Sequence, residues 1–150
     1  LAHGLLPSMV RKNKGGILNV SSGFGLTWMP TFGAYVGTKH YVSALTECLR
    51  SELSGTGVIV SQLCPGPVAT EFEEIAGNPF GLSVPSWFEL SSEECAEIAL
   101  KKFHKGRAII IPGYMAWLSI QMGRLSPSWV LRILYGFFSR SVRPRLMQQP

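Results

Sequence analysis

The chain has 150 residues, 46% of them apolar and 15% charged, with a formal net charge of +5. That composition excludes intrinsic disorder, which needs few apolar residues and a high net charge, and its 16 glycines and 10 prolines follow no period, which excludes a collagen-like or low-complexity chain. A membrane-crossing helix needs roughly 18 consecutive apolar residues, whereas the best apolar run, Ala108 to Leu118, is shorter and holds Pro112 and Gly113.

Leu1 to Lys12 reads as the end of a helix, with Leu5, Leu6, Met9 and Val10 on one side and Gly15 and Gly16 as its stop. Pro7 and the lack of a basic start argue against a cleavable signal peptide, and a first residue other than Met suggests a piece of something longer. Ile17, Leu18 and Val20 form a short apolar run, the pattern of a buried parallel strand. Ser21 to Gly33 is loop. Ala34 to Ser54 predicts a long helix, with Val42, Leu45, Leu49 and Leu53 at helical spacing and Gly55 and Gly57 as its stop. Val58 to Leu63 predicts a second strand, closed by Pro65-Gly66-Pro67. Val68 to Leu90, with Gly77, Pro79, Gly81 and Pro85, reads as irregular, a lid or a loop with short helices. Ser91 to Lys105 predicts a third helix, opened by Ser91 with Glu94 as a capping box and lined by Ala96, Ala99, Leu100 and Phe103. Ala108 to Ile111 predicts a third strand after Gly106. Strands alternating with helices imply an α/β fold with a parallel sheet. Residues 1–112 are then one partial domain. Residues 113–150 read as a basic amphipathic extension of one or two helices, broken at Pro127.

Charge is uneven. Residues 1–100 carry five Lys/Arg and nine Glu, while residues 101–150 carry nine Lys/Arg and no acid. This basic end, with Trp117, Trp129, Tyr135, Phe137 and Phe138 among its arginines, suits either packing or a peripheral membrane contact through 114–145. The scatter of its charges argues against nucleic acid. Cys48, Cys64 and Cys95 lack metal-ligand spacing and read as small buried hydrophobes in a reducing, cytoplasmic setting. His3, His40 and His104 have no acid partner at ligand spacing, so no metal is expected, and Glu71, Glu73 and Glu74 read as a solvated face of the lid.

Ligands in open parallel sheets sit at the carboxyl ends of the strands. Two loops leave such ends, Ser21-Ser22 and Pro65-Gly66, and the long helix returning from that edge places Tyr35 there with Lys39 one turn later. A phenol at its ordinary pKa of ~10 is a poor acid-base catalyst at neutral pH, and a nearby positive charge favours its phenolate. A serine hydroxyl beside it can hydrogen-bond a carbonyl or alcohol oxygen whose carbon exchanges a hydride. Tyr-x-x-x-Lys with a serine thirteen residues before the tyrosine is expected by chance only about 0.02 times in such a chain.

Asn19-Val20-Ser21-Ser22, Tyr35-Val36-Gly37-Thr38-Lys39 and Cys64-Pro65-Gly66-Pro67-Val68-Ala69-Thr70 together resemble the short-chain dehydrogenase/reductase superfamily in order and spacing, with a ketoacyl-reductase-like flavour. The resemblance covers about residues 1–112. It implies the C-terminal half of a Rossmann-like doubly wound sheet and an oxidoreductase that reduces a carbonyl or oxidises an alcohol with NADP or NAD. Tyr35 would be the general acid/base, Lys39 would support its phenolate and hold the nicotinamide ribose, and Ser22 would polarise the substrate oxygen. Pro65 and Gly66 would pass near the nicotinamide and Thr70 would meet its carboxamide. The helix over 34–54 would mediate homo-oligomers.

The family's Gly-rich phosphate loop, its Asn-Asn-Ala-Gly element and its helix asparagine precede Leu1 in family order, so the choice between NAD and NADP cannot be read. The chain alone is therefore expected to bind NAD(P) poorly, to be inactive and to associate. Two other readings compete with a catalytic half: a non-catalytic remnant that packs or dimerises, and a module for anionic membrane.

Overall fold

The computed structural model describes residues 2–70, 85 and 88–146. In chain order these form α1 (Ala2–Arg11), β1 (Gly15–Val20), a 3₁₀ turn (Gly23–Gly25), α2 (Gly33–Glu52), β2 (Val58–Leu63), β3 (Val68–Ala69), β4 (Leu90–Ser91), α3 (Ser92–His104), β5 (Ile109–Ile110), α4 (Tyr114–Leu125) and α5 (Ser128–Leu146). The expected acidic lid face, Glu71, Glu73 and Glu74, lies outside the described residues.

β1, β2 and β5 form one parallel sheet in the order β1-β2-β5. Gly15 pairs with Val58 and Val20 with Leu63, and Gln62 and Leu63 pair with Ile109 and Ile110. Each crossover contains a helix, α2 between β1 and β2 and α3 between β2 and β5, as parallel pairing requires. The three expected strands are thus present, the third shortened to two residues. A second, two-stranded parallel sheet joins β3 to β4; such short strands have too little pattern to be seen in a sequence.

The two sides of the sheet are held differently. On one, Leu63 and Ile110 pack against Cys95 and Ala99 of α3, with Leu18, Val68 and Phe103 around them. On the other, α2 is fastened through polar groups. Asn19 Nδ2 donates to Thr46 Oγ1 (2.9 Å), Arg50 Nη1 to the Val60 carbonyl (2.8 Å) and Gln62 Nε2 to Glu47 Oε1 (2.9 Å). Buried polar groups need partners, and these have them. A further core cluster joins Cys64 and Ile111 to Ala116 and Ile120 of α4, so the first helix after residue 113 packs into the interior.

Several expectations need correction. Gly15 and Gly16 do not stop α1; they begin β1, and the turn between is made at Asn13, which takes a left-handed φ of 48°. α3 buries Cys95 and Ala99 and packs Phe103 inward, while Ala96 and Leu100 are exposed. Cys95, Ala99 and Phe103 share a face at spacings of four, a stripe hidden when cysteine is not counted among the apolar positions. α2 buries Ser43 and Thr46, and Leu45 of its apolar set faces outward. Cys48 is exposed; Cys64 and Cys95 are buried. The capping serine is confirmed, with the Glu94 N–H donating to Ser91 Oγ at 3.1 Å. Pro127 does separate two helices, α4 and α5.

Candidate active site

The carboxyl end of β1 runs directly into two serines with different fates. Ser21 is fully committed to structure: its hydroxyl donates to the Lys39 carbonyl (3.0 Å), so the Ser43 hydroxyl is the donor in the 2.9 Å bond between the two serines. These bonds seat the middle of α2 against the end of β1. Gly25 closes the same hub. A Cβ there would meet Ser21 Oγ, Ser43 Oγ at 2.6 Å and the Lys39 carbonyl at 2.8 Å.

Ser22 is buried, and its Oγ accepts from the Phe24 N–H (3.2 Å), capping the 3₁₀ turn. Among the described residues its own proton has no acceptor. The turn carries Phe24, whose ring meets Tyr35 edge-on at 6.4 Å and stacks on Phe32 at 5.6 Å. Tyr35 thereby stands beside the Ser22 turn. Lys39 Nζ lies 5.6 Å from the centre of the Tyr35 ring and donates to the carbonyl of Val20, the last residue of β1 (3.3 Å). Lys39 is tied to the end of β1 twice, through its ammonium to Val20 and through its carbonyl to Ser21 just past the strand.

The second loop joins this group from β2. The Gly23 N–H donates to the Pro65 carbonyl (2.8 Å), coupling Pro65-Gly66 to the turn after Ser22. Gly66 faces α4, where an added Cβ would sit 2.6 Å from Ala116 Cβ. Gly23 meets Ile120 and Gly123 meets Thr27 in the same manner, at 2.8 and 2.9 Å. α4 therefore lies against both loops. Thr70 sits on the exposed side just past β3, its Oγ1 donating to the Val68 carbonyl (3.4 Å). Ser22, Tyr35, Lys39 and Pro65 are thus linked through neighbouring contacts, Gly66 borders them, and Thr70 follows at the end of β3.

Cys64, at the end of β2, is packed under this loop. Burial pushes its thiol up to about 11, an effect that neighbouring Ser21, the Ser22 backbone and the Arg124 charge only partly oppose. A groove of about 460 Å³ runs along the hub, lined by Gly25, Ser43, Glu47, Gln62 and Arg124 among others; Ser22, Tyr35 and Lys39 are not among its walls. Ser21, Phe24 and Gly25 hold this group of residues together in ways that motif spacing does not reveal. A Ser-Ser pair does not say which hydroxyl turns inward, and the Phe24-Tyr35 contact spans a loop.

Residues 1–78 match the family described as short chain dehydrogenase. The chain belongs to the short-chain dehydrogenase family. It is 30% identical over 148 residues to the very-long-chain 3-oxoacyl-CoA reductase of Bos taurus, covering 97% of this chain and 44% of that protein. It is 31% identical over 147 residues to the reductase of the same name from Mus musculus, covering 97% of this chain and again 44% of the relative. The chain thus spans less than half the length of these relatives. Among solved structures, a short-chain dehydrogenase from Sphingobium yanoikuyae in complex with NADPH aligns with a TM-score of 0.64 at 26% identity, over 99% of this chain and 51% of that one. A short chain dehydrogenase from Burkholderia cenocepacia in complex with NADP aligns with a TM-score of 0.71 at 23% identity, over 89% and 52%, which speaks for the fold.

Proposed function

We propose that the chain carries the proton-handling, nicotinamide-side part of an NAD(P)-dependent oxidoreductase that interconverts a carbonyl and an alcohol. The observation that carries the reading is Lys39, held by Val20 at the end of β1 and set against the Tyr35 ring beside Ser22. The residues present suit the nicotinamide end of a dinucleotide. The Lys39 ammonium has three N–H donors and spends one on Val20, leaving two directions for ribose hydroxyls. Pro65, Gly66 and Thr70 would border the ring and its carboxamide.

When bound, the nicotinamide supplies or accepts the hydride. The chain's own residues handle the oxygen. In reduction, the free proton of Ser22 is donated to the substrate carbonyl, which fixes its orientation and stabilises charge as it grows. The Tyr35 hydroxyl gives its proton to that oxygen as it becomes an alkoxide. In oxidation the phenolate takes the proton back. The Lys39 ammonium lies 5.6 Å from the centre of the Tyr35 ring, and Phe24 meets that ring edge-on and limits its rotation. The likeness to very-long-chain 3-oxoacyl-CoA reductases supports a 3-oxoacyl or similarly lipophilic ketone as substrate. Exposed Tyr41 and Leu45 on α2 support oligomerisation through that helix.

The test is Tyr35→Phe in full-length protein. Turnover should fall by about 10²–10⁴-fold, the usual worth of general acid-base catalysis, with NAD(P)H affinity retained. Near-normal turnover would end this mechanism. Lys39→Met should instead weaken cofactor binding as well.

A further inference from the structure

We propose that α4 and α5 form a platform that docks this protein on an anionic bilayer surface, lying in the headgroup region without crossing it. α4 turns Ala116, Ile120 and Gly123 inward, against the core and the two site loops. Its opposite face would be expected to be polar. It holds Tyr114, Leu118, Met122 and Leu125, with Tyr114 73%, Met122 63% and Leu125 84% exposed. A surface helix that is apolar on its outer side as well as its inner side calls for a second apolar partner.

α5 repeats the arrangement. Leu131 is buried and Tyr135 packs edge-on against Trp28 (4.7 Å), which fixes the helix to the segment after the 3₁₀ turn. Trp129, Ile133 and Phe137, four residues apart, form an exposed stripe. The Arg140 guanidinium lies 5.8 Å from the centre of the Phe137 ring, a cation at the edge of an apolar surface. Among the described residues no helix is long and apolar enough to cross a membrane, so the platform lies on one.

Charge selects the occupant. Residues 113–150 hold five Arg and no acid, and exposed Arg124, Arg132 and Arg140 lie on the two helices. A second copy meeting this face symmetrically would set like charge on like. Anionic phospholipid supplies both what the apolar residues need and what the arginines need, and interfacial tryptophan and tyrosine suit the same zone. The platform backs onto the loops that hold Ser22 and Pro65, so docking brings the site to the bilayer. Under the oxidoreductase reading, on which this consequence alone rests, the substrate is a carbonyl compound partitioned in the membrane.

Flotation of the full chain with vesicles tests the docking without reference to turnover, since aggregated protein sinks. The chain should float with phosphatidylcholine vesicles containing 30% phosphatidylserine, on the order of the anionic fractions on which such surfaces act, and much less with pure phosphatidylcholine. Arg132→Glu with Arg140→Glu should lower partitioning by at least about 25-fold, roughly fivefold per lost charge. Leu125→Glu should lower it as well. Lys101→Glu with Lys102→Glu, on α3, should have a much smaller effect. Circular dichroism of each variant should match the parent, because all these positions are exposed. Absence of flotation with the anionic vesicles, or equal losses from the α3 and α5 pairs, overturns the proposal. So does self-association that Leu125→Glu abolishes while vesicle binding persists unchanged, which would assign the face to a second copy.

Discussion

Replacing Gly25 by alanine adds a single methyl group at the point where β1, the 3₁₀ turn and α2 meet. Its Cβ would contact Ser21 Oγ, lie 2.6 Å from Ser43 Oγ and 2.8 Å from the Lys39 carbonyl. Two of the three neighbours are side chains already bonded to one another, and the third is backbone in the middle of a helix. Relief by rotating one flexible side chain is therefore closed. Overpacking of this kind costs about 1–3 kcal/mol, and breaking the Ser21-Ser43 bond adds about 1 kcal/mol. The lower entropy of an unfolded alanine offsets at most about 1 kcal/mol. The net loss should be about 1–3 kcal/mol, which at a urea m-value of about 1.5 kcal/mol per molar moves the midpoint down by roughly 1–2 M. Gly37→Ala is the companion measurement. Gly37 lies within α2 with nothing within 4 Å of an added Cβ, so alanine should raise stability by about 1 kcal/mol. An unchanged or higher midpoint for Gly25→Ala would show that the hub yields easily and that Lys39 is not held by it.

Thiol chemistry should separate the cysteines. Iodoacetamide at pH 8 should add one group per native chain, at Cys48, and three after denaturation, as counted by mass spectrometry. The Cys64 thiol, raised to about 11 by burial from an ordinary value of 9.0, keeps its proton in the fold after the unfolded chain has lost it. Its contribution is intact below pH 9, and stability should drop by about 2–3 kcal/mol between pH 9 and 11, a drop that Cys64→Ala should reduce in denaturation curves. Tyr135→Ala should remove the 4.7 Å contact with Trp28 and lower stability by about 1 kcal/mol or more, seen as a lower thermal midpoint and a shift in Trp28 emission.

The parts of this fold that periodicity encodes were legible: two long helices, two full strands and the break at Pro127. Tyr35, Lys39 and Ser22 stand out in the sequence because such chemistry is unusual at that spacing, and the structure brings the three to one end of the sheet. What a sequence pattern does not display depends on three-dimensional neighbours. The seat of α2 is built from Ser43, Thr46 and Asn19, residues that a hydrophobicity pattern scores as outward-facing. β3 and β4 are two residues each and are defined only by their pairing. The inward stripe of α4 consists of Ala116, Ile120 and Gly123, whose particular sizes matter only because Gly66, Gly23 and Thr27 stand opposite.

That last arrangement has a consequence for how the chain can vary over evolutionary time. Gly66 with Ala116, Gly23 with Ile120 and Thr27 with Gly123 are pairs in which any atom gained by one partner must be surrendered by the other. A lineage that enlarges residue 116 must first shorten nothing further at Gly66, which is already the smallest residue, so it must tilt the helix instead. Position 123 has the opposite freedom: alanine there is admissible once residue 27 becomes serine. Descendants of this sequence should therefore drift in step across these pairs, the first limited to passing its one methyl group from residue 116 to residue 66 and the third free to trade.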